Sequence, residues 1–419
     1  MKQSILILLL SASLLYGQVA AQIDSSLLSS APADTGKTKS LNMDAIYNRP
    51  FLQGGKMPVS LGGYVESNWQ YLATDGISKG HQFQFRRMSL FVASSIARRV
   101  KFLSEIEFEN NADEVDATSN MEIDIEYAAM DIEFHPLLNL RGGIILNPIG
   151  AYNQNHDGPK WEFTDRPLPM TRLLPATWSN AGMGLYGKRY KGNWMLGYEC
   201  YLSGGLDGRI LDNEEGKTFL PASREGNARL LQSAGGQPFY TGKLALRHAK
   251  VGELGLSTMQ GIYNAHTEEG VIIDKKRWSR IWAVDFNTTL PVAGTSITGE
   301  FAWIQVQLPQ YLPQQFGSRQ CGGFADVVQP LLKRPMFGFP KAVLNAAIRI
   351  EYIDYNVGTF NGSDQNKADD MRSIMPAISF RPVPQTVLRL NYRYMLTRDL
   401  FGNPPSKTGG FIAGISTYF

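Results

Sequence analysis

From about residue 57 onward, hydrophobic and polar residues alternate with a period of two. In LGGYVESNWQY, Leu61, Val65, Trp69 and Tyr71 share one side, while Tyr64, Glu66, Asn68 and Gln70 share the other. In VKFLSEIEFE, Val100, Phe102, Ile106 and Phe108 oppose Lys101, Glu105, Glu107 and Glu109. The same division sets Leu344, Ile348, Ile350 and Tyr352 against Asn345, Arg349 and Glu351, and Leu388, Leu390, Tyr392, Tyr394 and Leu396 against Arg389, Asn391 and Arg393. The last segment, GGFIAGISTYF, places Phe411, Ala413, Ile415, Thr417 and Phe419 on one face. Successive strand side chains point to opposite faces, so each segment reads as a strand with an apolar and a polar side.

Soluble antiparallel sheets alternate too, so the connections decide what the apolar side meets. About sixteen strands of roughly ten residues fit after residue 56. Alternate connections are short: 97–99, 135–137, 190–192, 249–252, 291–294 and 381–385, with a longer one at 333–340. The intervening ones are mostly long: 73–80, 111–120, 148–180, 204–237, 265–276, 309–322, 356–370 and 397–407. Short turns on one rim and long loops on the other predict an all-β, transmembrane antiparallel β-barrel of about sixteen strands. Two segments break parity: Arg86 and Arg87 fall on opposite faces, and register changes between Glu126 and Asp131. A β-bulge in each strand would repair this.

Composition fits such a barrel. Hydrophobic residues make up only 43% and Gly is plentiful at 41 residues, as expected when half the strand positions face water inside. Lys and Arg (41) nearly balance Asp and Glu (38) without a polybasic block, which gives nucleic-acid binding no support. Residues 1–21 combine Lys2, an apolar run too short to span as a helix, and small residues before Gln22, and so read as a signal peptide. Residues 22–56 lack periodicity and read as a flexible N-terminal periplasmic segment. Cys200 and Cys321 are far apart in sequence, and their pairing stays open.

The most distinctive stretch runs from Arg141 to Gly187. A strand enters a loop, 148–180, that is too long for an unstructured connection and so reads as an ordered, functional one. In a barrel of this size, a long third loop is expected to fold inward and constrict the channel. Here the chain resembles the phosphate-selective porin O and P family, in the branch common in Bacteroidota. The resemblance rests on Gly62, Gly63 and Tyr64, then Phe85, Arg86 and Arg87, and then Arg141, Gly142 and Leu146 to Gly150. It continues through Asn155, His156 and Asp157, Arg166 and Pro167, and Pro175 to Trp178. It implies a trimeric outer-membrane channel for passive diffusion of small polar or anionic solutes, phosphate included, with no cofactor. Phe419 resembles the terminal signal recognised by bacterial barrel-assembly machinery.

The expected pore-lining bases are Arg86, Arg141, Lys243, Arg247, Arg349, Arg389 and Arg393, with Arg166 and Arg172 as constriction candidates in the loop. Acids including Glu66, Glu105, Glu107, Glu109, Asp124, Glu126 and Glu351 fall on the same inner face, so the lining charge nearly balances. If acids and bases segregate to opposite walls, a transverse field results; if they pair, they stiffen the wall. His156 beside Asp157 has no companion ligands at metal-site spacing and reads as a loop hydrogen-bonding residue. No His is placed by motif beside a Ser nucleophile, which argues against a barrel enzyme, and residues 22–56 are too few for a globular plug. The alternative to a channel is a non-conducting structural or accessory barrel that binds a protein partner.

Overall fold

The computed structural model describes residues 41–46, 49, 59–110, 121–175, 177–224 and 235–419. The expected signal peptide, residues 1–21, lies outside them, as does most of the 22–56 segment and Ala176.

The alternating segments form sixteen long strands: β1 (Val59–Thr74), β2 (Gln82–Ala97), β3 (Val100–Asn110), β4 (Met121–His135), β5 (Leu138–Leu146), β6 (Ser179–Lys191), β7 (Trp194–Ser203), β8 (Phe239–His248), β9 (Gly252–Ile262), β10 (Trp278–Thr289), β11 (Ser296–Val306), β12 (Arg319–Lys333), β13 (Val343–Asp354), β14 (Asp370–Val383), β15 (Thr386–Arg398) and β16 (Ser406–Tyr418). Two-residue strands at Ile77–Ser78, Thr267–Glu268 and Val271–Ile272 decorate the long loops. Each long strand runs antiparallel to its chain neighbour. β16 pairs back onto β1 from Tyr64↔Tyr418 to Thr74↔Thr408, which closes the barrel and removes the edges. Phe419 completes the seam by exchanging backbone hydrogen bonds with Gly63.

Both parity breaks are bulges. Glu66 pairs with Arg87 and Ser67 with Phe85, so Arg86 is the extra residue and both arginines enter the lumen. Glu105 pairs with Tyr127 and Ile106 with Ile125, which makes Glu126 the extra residue and buries it beside Tyr127.

The outward rows are bare apolar side chains: Leu254, Leu256, Ile350, Leu390 and Phe411 are each about half exposed. An apolar surface that encircles the molecule is far larger than a water-soluble monomer tolerates, and lipid is the medium that accommodates it. No described helix is long and apolar enough to cross a membrane; crossing falls to the strands. Cys200 is exposed and Cys321 half-buried, and both are free thiols.

The inner face is not uniformly polar. On the β8–β14 side, Phe239, Met259, Ile281, Ile304, Phe324, Ile353 and Met371 point inward. They are covered by Ile149, Tyr152, Leu168, Leu173 and Trp178 from one long loop and Leu206, Ile210 and Leu220 from the next. This buried apolar cluster sits inside the barrel. It departs from the expectation that the inner face meets only water.

Part of the N-terminal segment is inside as well. Leu41 and Met43 pack with Tyr186, Met195 and Ala245, and Ile46 packs with Leu103 and Tyr127. A side chain at Gly197 would run into Leu41 and Met43. The described residues of a segment expected to be a flexible periplasmic arm thus sit against the inner wall.

Candidate functional site

The loop between β5 and β6, residues 147–178, folds into the lumen and reaches almost every wall. Its entry is fixed by a left-handed glycine, Gly150 (φ 64°), whose missing side chain makes room for the Glu300 carboxylate. Glu300 Oε2 accepts from the Ala151 and Tyr152 backbone N–H groups at 2.9 and 3.0 Å, and Ser257 accepts from Gly150 N–H. Further along, Gln154 donates to Glu199, Thr164 N–H to Asn391, and Leu168 N–H to Glu351. Glu162 accepts from Arg381 at 2.7 Å. Arg389 donates to the loop carbonyls of Gly158 and Phe163. A 3-10 turn (Gly158–Lys160) and one helical turn (Leu168–Arg172) give the loop its only regular structure among the described residues.

Charge matching orients the loop tip. Acids cluster on β3 and β4 (Glu105, Glu107, Glu109, Asp124, Glu126) and bases on β13 and β15 (Arg349, Arg389, Arg393). The adjacent loop residues Asp165 and Arg166 answer both walls. Asp165 pairs with Arg86 at 2.7 Å and Arg393 at 3.1 Å, while Arg166 pairs with Glu107 at 3.2 Å. Burial alone would push the Asp165 carboxyl up, but Arg393, Arg86 and Arg349 outweigh it and hold its pKa below the ordinary value. Asp157 is likewise buried, and Arg49 and Lys160 keep it well below the carboxylate range. Burial works against charge on His156 too, yet Glu105 and Glu126 raise its pKa to about 10.

The expected lining bases all face inward, but they are engaged. Arg141 makes a fork with Asp131 at 2.8 and 2.9 Å, and Arg349 makes one with Asp326 at 2.7 and 2.6 Å. Lys243 meets Asp285 at 3.0 Å and donates to Gly150 O, and Arg247 lies 3.8 Å from Glu253. Arg389 is 3.4 Å from Glu66. Glu105 receives Arg49, and Glu107 receives Arg87 as well as Arg166. A wall of unopposed positive potential is therefore not what these residues form. Arg172 differs: it is exposed at the end of the Leu168–Arg172 turn and near Tyr355.

Sequence reading missed several partners. Asp131, Asp285, Asp326 and Glu300 are buried on the inner side, and nothing in the sequence said which base each would meet. Arg49 had no periodic context at all, yet its guanidinium is fully buried, 2.6 Å from Glu105 and 3.0 Å from Asp157, and stacked over Phe91. Toward the short-turn rim, a cavity of about 410 Å³ opens between Met43, Asp44, Lys101, Glu133, Arg141 and Lys188.

A closed sixteen-strand barrel, apolar outside and charged within, with its third loop folded inward, is the architecture of a bacterial outer-membrane β-barrel. Among solved structures, the anion-selective porin from Comamonas acidovorans aligns over 86% of this chain and 99% of its own, with a TM-score of 0.53 and 12% identity. OprB of Pseudomonas putida aligns over 86% and 94%, with a TM-score of 0.50 and 9% identity. In sequence, an uncharacterized protein of Aquifex aeolicus (strain VF5) is 25% identical over 356 residues, 80% of this chain and 76% of that one. No family model matches the chain.

Proposed function

We propose that the protein is a narrow, passive outer-membrane channel for small polar or anionic solutes, phosphate among them, with no chemical step. One observation carries this reading: a long loop folded inside a closed barrel and oriented by lumenal charges, which is how a barrel sets a bore rather than an enzyme site. The resemblance of its motifs to those of the phosphate-selective porin O and P family supports it, as does the fold similarity to a porin described as anion-selective. In this reading Arg166 and Arg172 border the constriction, the paired lumenal bases hold its shape, and three copies assemble in lipid. Residues 1–21 direct export, and Phe419 serves recognition by the assembly machinery.

A second reading, a non-conducting structural barrel, draws on the buried lumen: Arg49, Glu105, Glu126, Lys243 and Arg349 are all almost wholly covered. Swelling of proteoliposomes in a graded series of sugars and anions separates the two. The channel reading expects entry of the smallest solutes with a sharp size limit. Absence of swelling for every solute, with correctly folded protein in the vesicles, favours the second.

A further inference from the structure

His156, Glu105 and Glu126 come together from the inner loop, β3 and β4, although they are 51 and 30 residues from the histidine in sequence. All three are buried. The imidazole Nδ1 lies 2.9 Å from the Asn153 carbonyl, which can only accept, so Nδ1 carries the proton and Nε2 faces the carboxylates. Nε2 stands 3.3 Å from Glu126 Oε2 and 3.5 Å from Glu105 Oε2, and it has no hydrogen-bond partner. Glu126 Oε2 and Glu105 Oε1 are also buried without a partner.

A bare lone pair on Nε2 pointing at two carboxylates would be repulsive, so the space between them holds a positive charge, either a proton on the ring or an ion among the three groups. A proton on Nε2 would draw a carboxylate oxygen to about 2.7–2.9 Å, the usual length of a charge-assisted N–H···O bond. The observed separations are longer. They leave room for an ion among the three groups, since a tetrahedron with metal–ligand bonds of about 2.0–2.1 Å has edges of roughly 3.3–3.4 Å.

The surroundings are those of ligand orientation. Nδ1–H is tied to a backbone carbonyl. Glu126 Oε1 is occupied by Thr177 and Arg224, and Glu105 Oε2 by Arg49 at 2.6 Å. Second-shell bonds of this kind fix tautomer and carboxylate direction at metal centres. We propose that His156 Nε2, Glu126 and Glu105 bind a divalent transition-metal ion, with zinc the best match to one imidazole and two carboxylates in four-coordinate geometry. The ion clamps the inner loop to β3 and β4. The site stands whether or not the barrel conducts.

The test is to refold the full chain in detergent after EDTA treatment, with one equivalent of Zn²⁺ or Co²⁺, and to measure bound metal after gel filtration. The expected result is one zinc per chain and, with cobalt, the visible absorption of a four-coordinate site. His156→Ala and Glu126→Gln, each retaining the barrel's heat-modifiable mobility, should reduce stoichiometry from one to none. Should His156→Ala not fold, Glu126→Gln and the wild-type stoichiometry still decide. Wild-type protein that carries no zinc or cobalt means the imidazole is simply protonated and overturns the proposal. Unchanged metal content in the variants overturns it too.

Discussion

Arg49 and Asp157 meet 3.0 Å apart inside the barrel, which joins the segment ahead of the first strand to the loop folded between the fifth and sixth. Arg49 also reaches Glu105 on the wall, so one guanidinium ties three parts of the chain. Truncating one partner of a buried ion pair leaves charges uncompensated, at about 3–5 kcal/mol. Arg49→Ala should therefore lower the melting temperature and, by loosening the segment from the lumen, raise single-channel conductance. Wild-type conductance in a folded variant would mean the segment does not obstruct the path.

The two loop arginines should behave differently. Arg172 is exposed, so Arg172→Glu should move the reversal potential in a salt gradient toward cation preference with little change in stability. Arg166 is held by Glu107 and lies 3.9 Å from Glu109. Arg166→Glu sets like charges together, and should both widen the conductance distribution and destabilise the loop. Identical reversal potentials in Arg172→Glu and wild type would remove that residue from the constriction.

Leu390 lies in the middle of β15 on the outward face and is about half exposed. If lipid covers it, Leu390→Arg should cost ~2–4 kcal/mol in reversible folding into lipid vesicles, whereas the same change near a rim costs much less. An effect below ~1 kcal/mol would mean that this face does not meet the bilayer core.

Asp369 sits in the outer loop before β14. Burial, together with Asp354, Asp370 and Asp399, outweighs Lys217 and raises its pKa to about 6. A carboxyl whose folded pKa exceeds its unfolded one stabilises the fold when protonated. That contribution is complete below the ordinary value of 3.8 and is lost as pH rises through about 6. Asp369→Asn should therefore melt increasingly above wild type as pH goes from 4 to 7, and then run parallel to it. A difference independent of pH would contradict the assignment.

Strand number, closure and the lipid face were legible because they follow from period-two alternation and from loop lengths sorted by rim. The two bulges were legible as parity breaks, at Arg86–Arg87 and near Glu126, though not their positions. The inner apolar cluster was less visible. In segments such as IWAV and FAWI both parities are apolar, with Ile281 and Ala283 inward beside Trp282 outward, and that is a signal that something covers the lumen. Charge partners were hidden because pairing depends on which residues the loop carries to which wall. Asp165 answers arginines on β2 and β15, and His156 answers glutamates on β3 and β4, contacts that local spacing does not encode. The burial of Arg49 is the extreme case, a single residue in an aperiodic segment.

Recording from purified protein in a planar bilayer tests the central claim most directly. A water path that survives beside the inner loop predicts small, uniform conductance steps whose size grows when Arg49 is removed. A silent bilayer, with folded protein shown to be inserted and with Arg49→Ala equally silent, would contradict it.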